Sequence, residues 1–296
     1  LKQPERQDQP WATWVSFPDP HHPFDCPEPW SRLHHPDEVD LPQHRTRSFE
    51  GRPWWHEQVL TAQPTGDPKA AAIRTGYSRV PEQTDEQLRE IIANTYGQIA
   101  LIDHQVGRLM LELEAQGLDE NTIVIYISDH GDWLGDHGLI LKGPIHYDGL
   151  LKVPFIVSGP GVPKGKVSHE PISTLDLGAT FCDYVGTEPL LPQHGRSIRP
   201  QIEGDEPRDF AMNEWELLPT RAGVALSIRT VRTKDWKLTF DYQSEAGEMY
   251  DCANDPHELE NLFDLPQHAA KQAELKAMLD SRPDDMKPNQ VQVGMA

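Results

Sequence analysis

Cysteine is scarce in this chain: three in 296 residues, Cys26, Cys182 and Cys252, far apart and odd in number. That excludes a disulfide framework and the paired spacing of a zinc site, and leaves free thiols, buried or on the surface. Long apolar runs are missing too, since none reaches the roughly 18 residues that a membrane-spanning helix needs. Basic residues are in short supply, 27 Lys and Arg against 47 Asp and Glu, and the resulting net charge of −20 argues against nucleic acid or an anionic membrane as partner. The chain opens Leu1-Lys2-Gln3-Pro4, with neither an initiator Met nor a charged-then-apolar leader. This predicts a processed start or an incomplete chain, with the compartment left open between cytoplasm and periplasm. The length is enough for one large core or two modest ones.

What the sequence does contain is one stretch around which the rest is organised, Ile123 to Lys142. Ile123-Val124-Ile125-Tyr126-Ile127 is apolar and β-branched, the pattern of a parallel strand buried on both faces. Ser128-Asp129-His130-Gly131 follow at once, so a carboxylate and an imidazole stand at a strand's carboxyl end, where open α/β sheets bind ligands. Gly131 permits an immediate bend, and Asp132, Asp136, His137 and Lys142 return around the same mouth. A divalent metal is the simplest reason to gather such groups. An Asp-His-Gly turn alone is also common as an ordinary loop, so the weight rests on the longer pattern.

That longer pattern, Ser-Asp-His-Gly, then Leu134-Gly135-Asp136-His137-Gly138, then Lys142, resembles the C-terminal metal-and-lysine segment of the sulfatases and of their relatives, the phosphonate monoester hydrolases of the alkaline phosphatase superfamily. The fold implied is α/β: an alkaline-phosphatase-like central mixed sheet flanked by helices, with a smaller C-terminal antiparallel sheet and helix. The division implied is residues 1–200 as the C-terminal part of the catalytic α/β domain and 201–296 as a C-terminal subdomain. Sulfatases also carry, further N-terminal, two metal-binding aspartates and a Cys-x-Pro-x-Arg or Ser-x-Pro-x-Arg segment whose first residue becomes the formylglycine nucleophile. Neither occurs here. The nearest string, Cys26-Pro27-Glu28-Pro29, has its prolines misplaced and lacks the arginine. The resemblance therefore implies that formylglycine and the N-terminal part of the fold lie outside this chain.

Along the chain, Trp11 to Phe17 is rich in β-formers and predicts a core strand ending at Pro18. The Asp19-Pro20-His21-His22-Pro23-Phe24 turn then matches the sulfatase His-x-Pro turn, with His21 as the matching histidine. Residues 25–79 are dense in Pro, His and Trp with little periodicity, and Trp30, Trp54, Trp55 and His56 could line a pocket or merely anchor a loop. Thr84-Asp85-Glu86-Gln87 is a capping box opening a long amphipathic helix whose stripe runs from Leu88 to Leu113 and which Gly117 closes. Asp103 and His104 on it read as a solvated flank. Leu151 to Gly161 contains a second strand resembling a recurrent structural strand of sulfatases, and Ser173 to Asp176 opens a helix that stops at Gly186.

The last third alternates in short runs, Asp209 to Trp215, Val224 to Thr230 and Trp236 to Asp241, which predict antiparallel strands. Asp255-Pro256-His257-Glu258 reads as a helix start, Asp255 capping and Pro256 at the first position. A final helix is expected from about Pro266 to Leu279, with a disordered tail beyond Pro283.

Esters of sulfate or phosphate need cations placed where charge builds on the leaving and equatorial oxygens. The resemblance implies Asp129 as a metal ligand and His130 as a ligand or a metal-to-substrate contact. It implies Lys142 on a sulfate oxygen and the bridging oxygen, His21 as donor to the leaving group, and His137 near the substrate or orienting the loop. Calcium is the expected ion, with manganese or zinc favoured instead if an imidazole coordinates. The function implied is a metal-dependent sulfuric ester hydrolase acting on a small-molecule sulfate ester. The alternatives are a phosphonate or phosphate ester hydrolase of the same superfamily and a non-catalytic fragment lacking the nucleophile. Loss of the first strands of such a sheet would expose an edge and favour association, so a homo-oligomer is left open.

Overall fold

The computed structural model describes residues 10–62, 66, 68, 69, 72, 82–189, 193–204 and 207–283. Helix α1 (Trp54–Thr61) breaks up what the sequence read as a long irregular stretch, together with 3-10 turns at Trp30–Arg32 and Pro36–Glu38. Its Trp-Trp pair is an anchor. Trp55 is fully buried, and Trp54 donates its indole N–H to Ser244 Oγ at 2.9 Å. Helix α2 (Asp85–Ala115) carries the capping box that the sequence predicts: Thr84 Oγ1 accepts from Gln87 N, and Gln87 Oε1 accepts from Thr84 N. Gly117, in the left-handed region at φ 65, closes it while Leu118 N donates to Leu113 O. Asp103 and His104 are exposed, as expected of a solvated flank.

Strand β1 (Val124–Ile127) leads to the central loop, helix α3 (Asp148–Leu151) follows it, and β2 (Phe155–Ser158) pairs with β1. The pairing is antiparallel, Val124 opposite Ser158 and Ile127 opposite Phe155, and not the parallel arrangement that the apolar run predicts. Nor is β1 buried on both faces, for all four residues are half-buried. Periodicity reports burial and not direction, so a continuous apolar run cannot distinguish the two pairings. The predicted strand over Trp11–Phe17 does not form: among the described residues this segment pairs in no sheet and is mostly exposed, with Trp14 74 % accessible. β-propensity expresses fit to a half-buried pleated surface, and no partner strand is present there to supply one.

Helix α4 (Asp176–Val185) ends at Gly186 as predicted, but its start is built the other way round. Asp176 reaches back to accept from Ser173 N at 2.8 Å and is held by Arg208, instead of Ser or Thr capping the helix. Beyond α5 (Arg199–Glu203) comes the second sheet, β3 (Phe210–Leu217), then the short α6 (Pro219–Ala222), β4 (Leu226–Thr233), β5 (Trp236–Asp241) and β6 (Gly247–Asp251). It is a simple antiparallel meander in the order β3-β4-β5-β6. The expected helix start at Asp255 is instead a turn, in which Asp255 Oδ2 accepts from Leu259 N and Glu260 N. Glu258, at φ 57, leaves the helical region and turns inward. A 3-10 turn at Pro266–His268 and α7 (Ala269–Asp280) complete the described chain; the tail expected beyond Pro283 lies outside the described residues.

Three cores hold these pieces. Leu275 and Leu279 of α7 pack with Val231, Leu238 and Met249 of the meander. A second joins Leu88 and Ile92 of α2 to Ile140 and Leu141 of the central loop. The third joins Trp55 and Val59 of α1 to Trp133, Ile145, Tyr147 and Leu150 of the central loop and to Leu226, Ile228 and Tyr250 of the meander. Each such large side chain contributes roughly 1.5–3 kcal/mol by leaving water, so the loop after β1 is clamped from the C-terminal sheet side.

Candidate active site

The loop begins where β1 stops. Ser128 Oγ donates to His130 O at 2.8 Å, and Asp129 Oδ1 accepts from His130 N at 2.9 Å, so the Ser-Asp-His turn is stitched by its own side chains. Gly131 is required by proximity: a Cβ there would fall on the carbonyl oxygen of Gly149, and Gly131 N donates to Leu150 O at 2.8 Å. His130 is thereby seated on α3.

Its ring is fixed at both nitrogens. Nδ1 lies 2.6 Å from Gly131 O, a pure acceptor, so Nδ1 carries the proton. Nε2 then presents a lone pair, and Lys142 Nζ meets it at 2.9 Å. Asp129 Oδ2 is 3.7 Å from the same nitrogen, with its side chain 87 % exposed. The His21 ring stands edge-on to His130 with centroids 6.3 Å apart, its own Nδ1 bonded to His22 O at 2.9 Å. Four of the five sequence-predicted residues, Asp129, His130, Lys142 and His21, therefore converge.

His137 faces other neighbours. Its ring stacks on Tyr147 at 3.7 Å and 7°, and burial, helped by Arg52, holds its pKa at about 3. It is a neutral, packed imidazole. The motif singles out His21 and not His22, yet the His22 ring lies 4.1 Å from that of His21, and burial with the nearby His21 and Lys142 lowers its pKa. Adjacency to His21 was its only signal.

The loop's shape is held by Asp132. Its Oδ1 accepts from Leu134 N at 2.9 Å and Leu141 N at 2.8 Å, while Trp133 N donates to Leu141 O and Gly135 N to Leu139 O. Leu134, His137 and Leu141 all have positive φ, at 46, 53 and 67, a region costing roughly 1–2 kcal/mol per non-glycine residue. Strain of this kind persists only where surrounding contacts over-determine it.

Behind the loop lies a buried polar cluster that no sequence pattern announced. Glu248 accepts from Tyr250 OH at 2.7 Å and sits 3.0 Å from His56 Nε2. Burial opposes its charge, but His56, Lys237 and Tyr250 outweigh that and bring its pKa to about 2. Lys237, wholly buried, pairs with Glu258 and donates to His146 O at 2.5 Å. Glu258 Oε2 accepts from Asp148 N at 2.7 Å.

Two groupings bear on a metal. The ligand atoms of Asp148, Cys252 and Glu258 lie within 4.8 Å of one another. That site already has its cations, Arg232 on Asp148 at 2.8 Å and Lys237 on Glu258, and burial pushes the Cys252 thiol up to about 12. It does not fit a metal ion. Asp129 and His130 fit better as two members of a larger ligand set, because an exposed carboxylate oxygen and an imidazole lone pair face the same space. His130 Nε2 can serve either Lys142 or a cation at one time, since it has one lone pair.

The family model for sulfatases matches residues 1–187, and that for the C-terminal part of N-sulphoglucosamine sulphohydrolase matches 135–285. The chain belongs to the sulfatase family. It is 31 % identical over 270 residues to the uncharacterized sulfatase YidJ of Escherichia coli, covering 89 % of this chain and 49 % of that protein. It is likewise 31 % identical over 204 residues to a Delta 4,5-hexuronate-2-O-sulfatase of Bacteroides thetaiotaomicron, covering 66 % of this chain and 42 % of that one. Among solved structures, the phosphonate monoester hydrolase of Agrobacterium radiobacter superposes with a TM-score of 0.77 at 28 % identity, over 94 % of this chain and 57 % of that one. The alkaline-phosphatase-like α/β fold follows from these likenesses. This sulfatase chain spans about half the length, or less, of the curated relatives it matches.

Proposed function

We propose that the complete protein is a metal-dependent hydrolase of sulfuric esters, for which this chain supplies the cation-and-amine side of the site. The observation that carries the reading is the convergence of Asp129, His130, Lys142 and His21 at the end of β1. Asp129 and His130 would hold the divalent ion, calcium by preference, alongside ligands from elsewhere in the protein. When bound, that ion would neutralise charge on the ester's equatorial oxygens. Lys142 donates to a sulfate oxygen and the bridging oxygen, and His21 donates to the leaving group as its bond to sulfur loosens. The formylglycine nucleophile belongs to a segment outside this chain, so full activity from the 296 residues alone would overturn that part of the reading.

Lys142→Ala in the complete protein should lower kcat/KM on aryl sulfates most for poor leaving groups, by about 100-fold or more. An equal loss for every leaving group would remove Lys142 from the bridging oxygen. Asp129→Ala should strip the divalent ion, read by elemental analysis; unchanged metal content would refute its role as a ligand.

A second reading, hydrolysis of phosphonate or phosphate esters, is favoured by the likeness to the Agrobacterium hydrolase. Cation, amine and imidazole suit either tetrahedral group. Side-by-side turnover of an aryl sulfate and an aryl phosphonate monoester separates the two.

A further inference from the structure

Asp132 stands two residues beyond His130 and is not part of the cation-and-amine set just described. Its carboxylate is half-buried, and a single oxygen takes two backbone N–H groups nine and two residues further on, those of Leu141 and Leu134. Both donors belong to leucines in the left-handed region, φ 46 and 67. Leucine has no intrinsic reason to stay there. The Trp133 N to Leu141 O bond at 3.2 Å sits on the far side of the same clasp, so the two ends of the loop meet at Asp132. Leu141 immediately precedes Lys142, and its backbone angles set the direction in which the lysine leaves the loop. If Leu141 relaxed to negative φ, the lysine would start along a different path, and the 2.9 Å contact between Nζ and His130 Nε2 would be lost.

We infer that Asp132 is a positioning residue: by holding Leu134 and Leu141 in the left-handed conformation, it aims Lys142 at His130 and hence at the leaving oxygen of the ester. The inference rests on the hydrolase reading for its catalytic consequence, though not for its geometry. What the loop needs from position 132 is an acceptor oxygen of the right reach, and a negative charge is not required. A side-chain amide can supply the oxygen, whereas a methyl group cannot.

The test uses the complete protein with Asp132→Asn, Asp132→Ala, Lys142→Ala and the double variant Asp132→Ala/Lys142→Ala, assayed on aryl sulfates of graded leaving-group acidity. Asp132→Asn should stay within about threefold of the parent enzyme, because its oxygen still accepts both N–H groups. Asp132→Ala should lose on the order of 10–100-fold in kcat/KM, as misplaced catalytic groups do. That loss should be greatest for poor leaving groups, and the double variant should be no worse than Lys142→Ala alone. Equal damage from Asn and Ala would overturn the inference in favour of a role for the charge. So would an Asp132→Ala loss that is the same for every leaving group or that adds fully to that of Lys142→Ala. If Asp132→Ala fails to fold, the Asn variant still decides, since loss of activity in a folded Asn protein contradicts the acceptor argument.

A second measurement does not depend on turnover. Amide hydrogen exchange of the 131–142 peptide should be near parental in Asp132→Asn, and in metal-free protein the ring-nitrogen NMR shift of His130 should report an intact Lys142 contact. Should the parent protein hydrolyse neither ester class while these two readings behave as stated, the hydrolase reading falls and the positioning role stands. Should the parent be active and the exchange pattern of Asp132→Asn match that of a chain with a loosened loop, the positioning role falls alone.

Discussion

At the scale of single residues, burial decides which imidazoles can carry charge. His146 is entirely enclosed, with Nδ1 2.7 Å from Thr230 Oγ1, and burial with Lys237 nearby lowers its pKa from 6.5 to about 4. His137 behaves alike, at about 3. Both bind a proton more weakly folded than unfolded, so below about pH 6.5 the unfolded chain takes up protons that the native state refuses, and stability falls as pH is lowered toward 4. Glu258, which burial raises to about 7 against the pull of Lys237, titrates with the opposite sign in the same window. A difference measurement isolates the histidine: the drop in unfolding free energy, from urea denaturation, between pH 7 and pH 4.5 should be smaller in His146→Gln than in the parent, by on the order of 2 kcal/mol. Equal drops would show that His146 does not carry the effect. Asp129, His130 and Lys142 were legible in the sequence because they belong to one short segment after a strand. The placement of His137 was not, because it depends on a left-handed backbone and on Tyr147, ten residues away but brought face to face only by the loop's fold.

At the scale of elements, local signals succeeded where the partner lies within one turn and failed where it lies across the chain. The capping box of α2 is such a local device, closed by Thr84 and Gln87 alone. Thr84→Ala should cost about 1 kcal/mol in chemical denaturation, with little change in activity; a loss of activity larger than the loss of stability would mean that the helix start does more than hold α2. Three strands of the meander, β3 to β5, were foreseen to within a few residues at each end because their alternation is regular and their turns polar; β6 was not read as a strand. The Trp11–Phe17 segment shows the reverse, for its composition suits a strand but a strand needs an edge to pair with. The Asp255–Glu258 turn carries every mark of a helix start. Asp255 does accept backbone N–H groups, but Glu258 is drawn to Lys237, and the chain follows it inward.

At the scale of the whole molecule, the C-terminal sheet supports the loop that bears the site. Lys237 on β5 and Glu258 beyond β6 hold the backbone of residues 146–148, which runs straight into α3 and so to the carbonyl of Leu150 that receives Gly131 N. Breaking a buried ion pair by removing one partner leaves the other charge uncompensated, which costs about 3–5 kcal/mol. Lys237→Ala should therefore lower the unfolding free energy, measured by urea denaturation, by that amount, whereas Lys237→Met combined with Glu258→Gln should recover part of it. A single variant as stable as the parent would show that the pair is dispensable. None of this was visible in the sequence, since Lys237 sits in a strand that otherwise reads as an ordinary amphipathic one.

The ion pair has a corollary for damage that begins at the far end of the polypeptide. A premature stop between β6 and Glu258 removes that carboxylate while sparing every residue of the candidate site. The ammonium of Lys237 is then stranded in the interior, and the peptide N–H of Asp148 loses its acceptor. Such a shortened protein would keep an intact set of pocket side chains on a floor that no longer holds them still.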